Sequence, residues 1–236
     1  DRMDELFKGE RTRVEPFAAQ VTEDDSTLTF ATGKVTLVVD KDPINFKLLA
    51  ADGSELYSTL PGNPFVKDAN NRVVAYSRMK EDDCFYGFGE KTGELDKNKT
   101  FQRERATDAM GYDAEKMDTL YKHIPFYIRL DRDTKKAVGV FYHNFYESVF
   151  NMGREKRNYW QADGGDLDCF LIGGDTIARV VDNYTLLTGR PALLPKRALG
   201  YQGSSMYYPE LEKDSDDAVL GFVDTIKEEG FPIDGF

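Results

Sequence analysis

Apolar and polar residues alternate in short stretches over the first three quarters of the chain, which is the pattern of β-strands with one buried face. Val35, Leu37 and Val39 fall on one side of such a stretch, and Gly33 separates it from the stretch before it, which predicts a hairpin. Ala-Asp-Gly-Ser at 51–54 is a tight-turn signal. The predicted strands are 28–32, 34–40, 45–50, 55–59, 73–80, 84–87, 120–130, 137–143, 148–152, 158–162 and 169–172.

Two stretches near the end follow the helical period instead. In 175–188 the apolar residues recur every three or four positions, with Asp175 or Thr176 as N-cap and Gly189 as C-cap. The second predicted helix, 214–229, begins with acidic residues, as the positive end of a helix dipole favours.

The second helix lies between two short apolar stretches, 198–202 and 231–236, which predict strands. Strand, helix and strand in this order indicate a parallel, right-handed βαβ unit. A parallel barrel needs eight strands, and two alone would leave unpaired edges. We therefore expect the chain to be the front part of a longer protein.

Composition excludes some partners. The 236 residues carry a net charge of −11, so neither nucleic acid nor an anionic membrane surface is an expected partner. No apolar run approaches the roughly 18–20 residues of a membrane span. The sequence leaves the compartment unassigned, with the cytoplasm favoured because no signal peptide is visible.

The residues that often carry chemistry are sparse. Cys84 and Cys169 lie in apolar surroundings and are expected to be buried free thiols. His123 and His143 belong to no catalytic-triad or metal-ligand pattern, so we expect no metal and no cofactor. The single Trp160 is expected in the core.

Tyr-Gly-Phe-Gly-Glu at 86–90 contains a Gly-x-Gly that could suggest a phosphate-binding loop. The third glycine of a dinucleotide fingerprint is missing and no helix clearly follows. The pattern instead predicts a bulged or tightly packed strand end, where glycine lets another backbone approach.

Three motifs taken together resemble glycoside hydrolase family 31, most of whose members are α-glucosidases. They are Tyr-Gly-Phe-Gly-Glu-Lys-Thr-Gly at 86–93, Leu-Tyr-Lys-x-Ile-Pro-Phe at 120–126, and the stretch from Gly-Arg-Pro through Ala-Leu-Gly-Tyr-Gln to Ser-Ser-Met-Tyr-Tyr at 189–208. The resemblance implies a mainly β fold. An antiparallel, galactose-mutarotase-like β-sandwich would span 1–190, including a linking helix at 175–188. The first βαβ unit of a (β/α)8 barrel would span 191–236.

The resemblance also implies a function, the retaining hydrolysis of α-linked glucosides or oligosaccharides by two carboxylates. In the family both carboxylates follow on later barrel strands, so no catalytic residue is assigned in this chain, and Asp234 is interpreted as a strand-end residue. The partners expected are the sugar substrate and the remainder of the barrel. Ser205, where many relatives carry Arg, and the acidic run at 212–217 resemble members that transfer α-glucosyl units, so transfer remains an alternative to the favoured hydrolysis.

For substrate contact the resemblance points to two loops. The long excursion at 91–122 would lean over the barrel, with Asp108 binding sugar hydroxyls and Asp113 as the second choice; a solvated loop carboxylate is the structural alternative. The loop at 204–208 would form a pocket wall, with Met206 or Tyr207 in the place where many relatives carry an aromatic residue. Non-enzymatic alternatives are a carbohydrate-binding sandwich, which would not need the βαβ tail, or a structural interaction domain.

Overall fold

Antiparallel β-sheets make up most of the computed structural model, which describes residues 18–111, 113, 115 and 120–236. The described strands are β1 Gln20–Glu23, β2 Thr27–Ala31, β3 Val35–Lys41, β4 Ile44–Ala50, β5 Glu55–Ser58, β6 Phe65–Lys67, β7 Val73–Ser77, β8 Cys84–Gly89, β9 Thr100–Glu104, β10 His123–Leu130, β11 Ala137–Tyr142, β12 Ser148–Met152, β13 Asn158–Ala162 and β14 Cys169–Gly173. The α-helices of the described residues are α1 Ile177–Thr188 and α2 Ser215–Glu228. None of the helices in these ranges has the length and apolar character that crossing a membrane requires.

The described strands form three sheets, each antiparallel throughout. The first sheet runs β1 to β5 in chain order. The second has the order β14-β11-β10-β8, and the third has the order β6-β7-β13-β12-β9. This architecture confirms the predicted mainly β fold with antiparallel sheets, including the hairpin between β2 and β3.

One core joins the inner faces of the three sheets. Trp160 from the third sheet stacks on Tyr142 of the second, with 4.3 Å between ring centroids, and Phe150 meets Phe88 edge to face. Leu48 and Leu56 extend the same cluster into the first sheet. The expected burial of Trp160 is confirmed, since only 1% of it is exposed.

The outer face of the second sheet is covered by α1. Val180 of this helix is fully buried, and Tyr184 stacks on Phe126 at 3.9 Å between centroids. Because both faces of the sheet are covered, every residue of its inner strand β11 is buried, and its sequence is continuously apolar or aromatic apart from Gly139. Thr176 is the N-cap of α1 and Gly189 its C-cap, as predicted.

The chain divides into two compact units, Asp1–Gly189 and Arg190–Phe236. In the second unit the helix is found as predicted, but the strands predicted at 198–202 and 231–236 are wrong. A short 3-10 helix, Lys196–Leu199, overlaps the first of these two segments. A single parallel bridge, Gln202 to Gly235, is all the pairing that this segment makes with the predicted strand at 231–236. Parallel pairing is stable mainly in larger, covered sheets, and no third strand adjoins this pair within the described residues.

Three other expectations need correction. The strands β1, β6 and β9 were not predicted, because each is short and its residues give no clear alternation. The long excursion at 91–122 is therefore not loop throughout. Cys84 is buried as expected, but Cys169 is exposed, since it begins the edge strand of the second sheet.

Candidate functional site

The site predicted around Asp108 depends on how tightly β8 and β10 approach each other. Gly87 and Gly89 have φ values of +128° and +81°. A Cβ on Gly87 would lie 2.7 Å from the carbonyl oxygen of Phe126, and one on Gly89 would lie 2.7 Å from that of Lys122. Only glycine fits such contacts, so the predicted tightly packed strand end is confirmed.

Glu90, directly after β8, fastens the segment that enters β10. Its Oε2 accepts hydrogen bonds from the backbone N–H groups of Tyr121 and Lys122, both at 3.3 Å. Its own N–H donates to the carbonyl oxygen of Lys122 at 2.9 Å. This pairing fixes the backbone that carries the Tyr121 side chain.

Lys91 fastens the end of β9, from which the Asp108 segment departs. Only 2% of its side chain is exposed, and its Nζ lies 3.1 Å from Glu104 Oε1. The same ammonium donates a hydrogen bond to the carbonyl oxygen of Arg103. A buried ion pair that also has hydrogen-bond partners holds its strand in one position, because separating the charges would leave one of them unpaired in the interior.

Asp108 stands exposed at the end of these supports. Its Oδ1 accepts a hydrogen bond from the Tyr121 hydroxyl at 2.6 Å, and the N–H of Thr107 donates to the carbonyl oxygen of Leu120 at 2.9 Å. The hydrogen bond to the Asp108 carboxylate raises the pKa of Tyr121 above its usual range. In the described part of the chain Oδ2 has no hydrogen-bond partner, so this oxygen can accept one from a sugar hydroxyl.

Asp113, the second choice, is exposed, and its Oδ1 accepts a hydrogen bond from the backbone N–H of Glu115 at 2.9 Å. The carboxylate thereby closes a local turn of its own loop.

The second unit carries Met206 and Tyr207, which are 74% and 62% exposed. A cavity of about 680 Å³ opens in the same unit, but neither residue lines it. Its walls are mostly apolar, with Phe222 and Ile226 from α2, Tyr208 from the preceding loop, and Ile233 and Phe236 from the last segment. Asp234 is exposed and sits against Gly200, and its N–H donates to the carbonyl oxygen of Tyr201.

The structure therefore identifies supporting residues that the sequence analysis missed, namely Glu90, Lys91, Glu104 and Tyr121. One signal was present in the sequence. Glu90 and Lys91 are two charged residues that directly follow an apolar strand, inside an unusual glycine motif. The burial of the Lys91 side chain could not be seen from this signal. The partners of Lys91 and Glu90 are 13 and 31 positions away along the chain and could not be chosen without the fold. No group of three or more potential metal ligands occurs among the described residues.

Comparison with known proteins identifies one matching family model and several similar proteins. A model of the glycosyl hydrolase 31 N-terminal galactose mutarotase-like domain matches residues 6–151. Alpha-glucosidase 2 of Bacillus thermoamyloliquefaciens is 32% identical over 92% of this chain. The isomaltosyltransferase of Sporosarcina globispora is 28% identical over 76% of it. A family 31 dextranase from Flavobacterium johnsoniae, solved with isomaltotriose, covers 91% of the chain with a TM-score of 0.79 and 25% identity.

The matched regions are small parts of these relatives. The chain spans 27% of the alpha-glucosidase, 17% of the isomaltosyltransferase and 25% of the dextranase. The similarity therefore concerns between about a sixth and a quarter of the length of these relatives.

Proposed function

Because this chain belongs to glycoside hydrolase family 31, we propose that it is the N-terminal portion of a retaining glycosidase that cleaves α-linked glucosides or oligosaccharides. The observation that carries the proposal is the similarity to an alpha-glucosidase along 92% of the chain, which includes both compact units. The relatives are about three to five times longer, which supports catalytic carboxylates that lie outside this chain. No residue here is assigned as nucleophile or acid.

In this function the first unit holds Asp108 in position to bind the sugar. Glu90 fixes the backbone of Tyr121, and the Tyr121 hydroxyl fixes one carboxylate oxygen of Asp108. A carboxylate oriented before the ligand arrives loses less entropy on binding. Met206 or Tyr207 would supply an apolar wall for the sugar from the second unit.

The test uses the protein at its natural length and the substitution Asp108→Asn, with Asp113→Asn as the matched exposed carboxylate. We expect kcat/KM for maltose and isomaltose to fall about 10- to 100-fold in D108N, since a hydrogen bond to a charged group is worth roughly 1.5–3 kcal/mol. Both variants should unfold at the same denaturant concentration as the unaltered protein. Full turnover in D108N together with a loss in D113N would assign the role to Asp113.

Glucosyl transfer is the second candidate, and the similarity to an isomaltosyltransferase favours it. The products formed from maltose separate the two reactions. Hydrolysis releases glucose alone, whereas transfer also gives trisaccharides and longer products. A protein that binds these sugars but releases no product at any concentration would instead be a non-catalytic binding protein.

A further inference from the structure

The loop between β11 and β12 exposes two neighbouring aromatic side chains. Phe145 is 67% exposed and Tyr146 is 57% exposed, although the residues on both sides of the loop are buried. We call these two residues the aromatic platform.

The Tyr146 ring lies close to two glycines, Gly164 and Gly165. A Cβ on Gly164 would lie 2.8 Å from Cε1 of the ring and 3.0 Å from Cδ1. A Cβ on Gly165 would lie 3.1 Å from Cδ2 and 3.2 Å from Cε2. Atoms from both edges of the ring thus lie near the glycine pair, where a Cβ would collide with them, so the protein supports the ring on this side while 57% of the residue stays exposed.

The loop that carries the platform is held by one buried amide. Asn144 is 6% exposed, and its Nδ2 donates to the carbonyl oxygens of Gly164 at 2.9 Å and Asp166 at 3.0 Å. Its Oδ1 accepts a hydrogen bond from the N–H of Tyr146 at 2.9 Å. The Phe145 ring meets the buried His143 ring edge to face at 5.1 Å. The platform is therefore ordered before any ligand binds.

The charges around the platform select among ligands that stack on aromatic rings. Glu147, Asp163 and Asp166 are exposed in the same two loops, and Glu147 has Arg105 at 3.7 Å. These carboxylates oppose a nucleotide, whose phosphates are anionic. A sugar ring instead has an apolar C–H face that can cover the Tyr146 ring, and hydroxyl groups that can donate to carboxylates.

The platform and Asp108 leave the third sheet at the same end. Glu104, the last residue of β9, pairs with Ser148, the first residue of β12. The segment that follows Glu104 and leads to Asp108 therefore runs beside the loop that precedes Ser148. Arg105 and Glu147 form an ion pair across the two segments.

We propose that Phe145 and Tyr146 form a second sugar contact, which binds a glucosyl unit of an oligosaccharide other than the unit held by Asp108. That the sugar is an α-glucan rests on the proposed function. The supported ring and its acidic surroundings are features of this chain itself.

The experiment measures, by calorimetric titration, how affinity depends on ligand length in the protein at its natural length. The probes are sulfur-linked analogues of maltose and maltoheptaose, which a glycosidase does not cleave during the titration, and only the longer ligand can reach a second contact. We expect Tyr146→Ala to weaken maltoheptaose binding about 10-fold and to leave maltose binding unchanged. Gly164→Ala keeps the ring but displaces it, so it should weaken maltoheptaose binding too. Gly33→Ala, where a Cβ meets nothing within 4 Å, is its matched control.

The outcomes separate the platform from the proposed function. If α-glucosides are turned over but Y146A and G164A bind maltoheptaose as tightly as the unaltered protein, the platform proposal is wrong and the function stands. If α-glucosides do not bind, a glycan array takes their place. If the unaltered protein binds a different glycan and Y146A does not, the platform proposal stands and the proposed function is wrong. If no glycan binds, both are wrong.

Discussion

The two units differ in how much of their apolar surface they bury. In the first unit three sheets and a helix enclose Trp160, Phe150 and Phe85, each at most 1% exposed. In the second unit Ile226 is the single buried residue of 190–236, a range that the structure describes completely. Apolar side chains there remain open, among them Leu193 at 97% and Leu199 at 69% exposure.

The difference follows from the kind of strand pairing in each unit. Antiparallel strands can pair with their neighbours in sequence, and the stretch of chain from β1 to β5 completes its own sheet in this way. The second unit has one parallel bridge and one helix, whose Phe222 packs on Tyr208 and Phe236 beside the open cavity. Such a unit gains its stability only when further apolar surface covers it.

The largest expected effect comes from removing matched phenylalanines from the two units. Phe150→Ala in the first unit should lower the free energy of unfolding by about 3–5 kcal/mol, because it leaves a cavity among the rings of Phe88, Tyr127 and Tyr142. Phe222→Ala in the second unit, where the side chain borders open space, should cost about 1 kcal/mol or less. Urea unfolding of the 236-residue chain measures both. Equal losses would mean that the two units are packed alike.

A smaller effect tests the close approach that supports Asp108. Gly89 and Gly53 both have φ of +81°, but a Cβ meets backbone only at Gly89. Gly53→Ala should therefore cost about 1 kcal/mol of backbone strain, and Gly89→Ala about 2–4 kcal/mol because a clash is added. Urea unfolding of the two variants gives the difference directly. Identical midpoints would contradict the contact between Gly89 and Lys122.

The smallest effect concerns an ion pair at the turn after β10. Burial disfavours the charged form of Asp131, but the Lys80 ammonium at 2.7 Å and the N–H groups of Thr134 and Asp133 outweigh it and lower the pKa of Asp131 to about 2. A lowered pKa stabilises the fold above the ordinary value of 3.8 and loses this contribution as the pH falls through about 2.

Asp131→Asn should accordingly be less stable than the unaltered chain at pH 7, by about 1 kcal/mol. The difference should shrink between about pH 4 and pH 2. Denaturant midpoints of both proteins across this range measure it. A difference that stays constant with pH would show that the charge of Asp131 contributes nothing.

The same division of the chain explains how far the fold could be predicted. Alternation in 34–40, the turn at 51–54 and the stripe in 175–188 are local signals, and the elements they predict are present within a residue or two. The strand at 198–202 was predicted from its apolar residues. The prediction is wrong because a strand also needs pairing partners, and these depend on residues outside the segment. Strand β9 was missed because its hydrogen bonds come from β12, 44 or more residues away.

The candidate site divides in the same way between local and distant signals. Asp108 was selected by resemblance, and its contact with a sugar stays a prediction. The support through Glu90 and Tyr121 joins two motifs that the sequence shows separately. The aromatic platform has no local signal, since Tyr146 and the glycines beneath it meet only when β11 to β14 are in place.

The contrast between a closed first unit and an open second one is tested most directly by hydrogen exchange of the 236-residue chain, followed by mass spectrometry of its peptides. Amides of β11, which is buried along its whole length, should exchange only through global unfolding. Amides of α2 should exchange at least about 100-fold faster, because the helix can open while the sandwich stays folded. Slow exchange of α2 at the rate of β11 would contradict the account and show that the second unit is as firmly packed as the first.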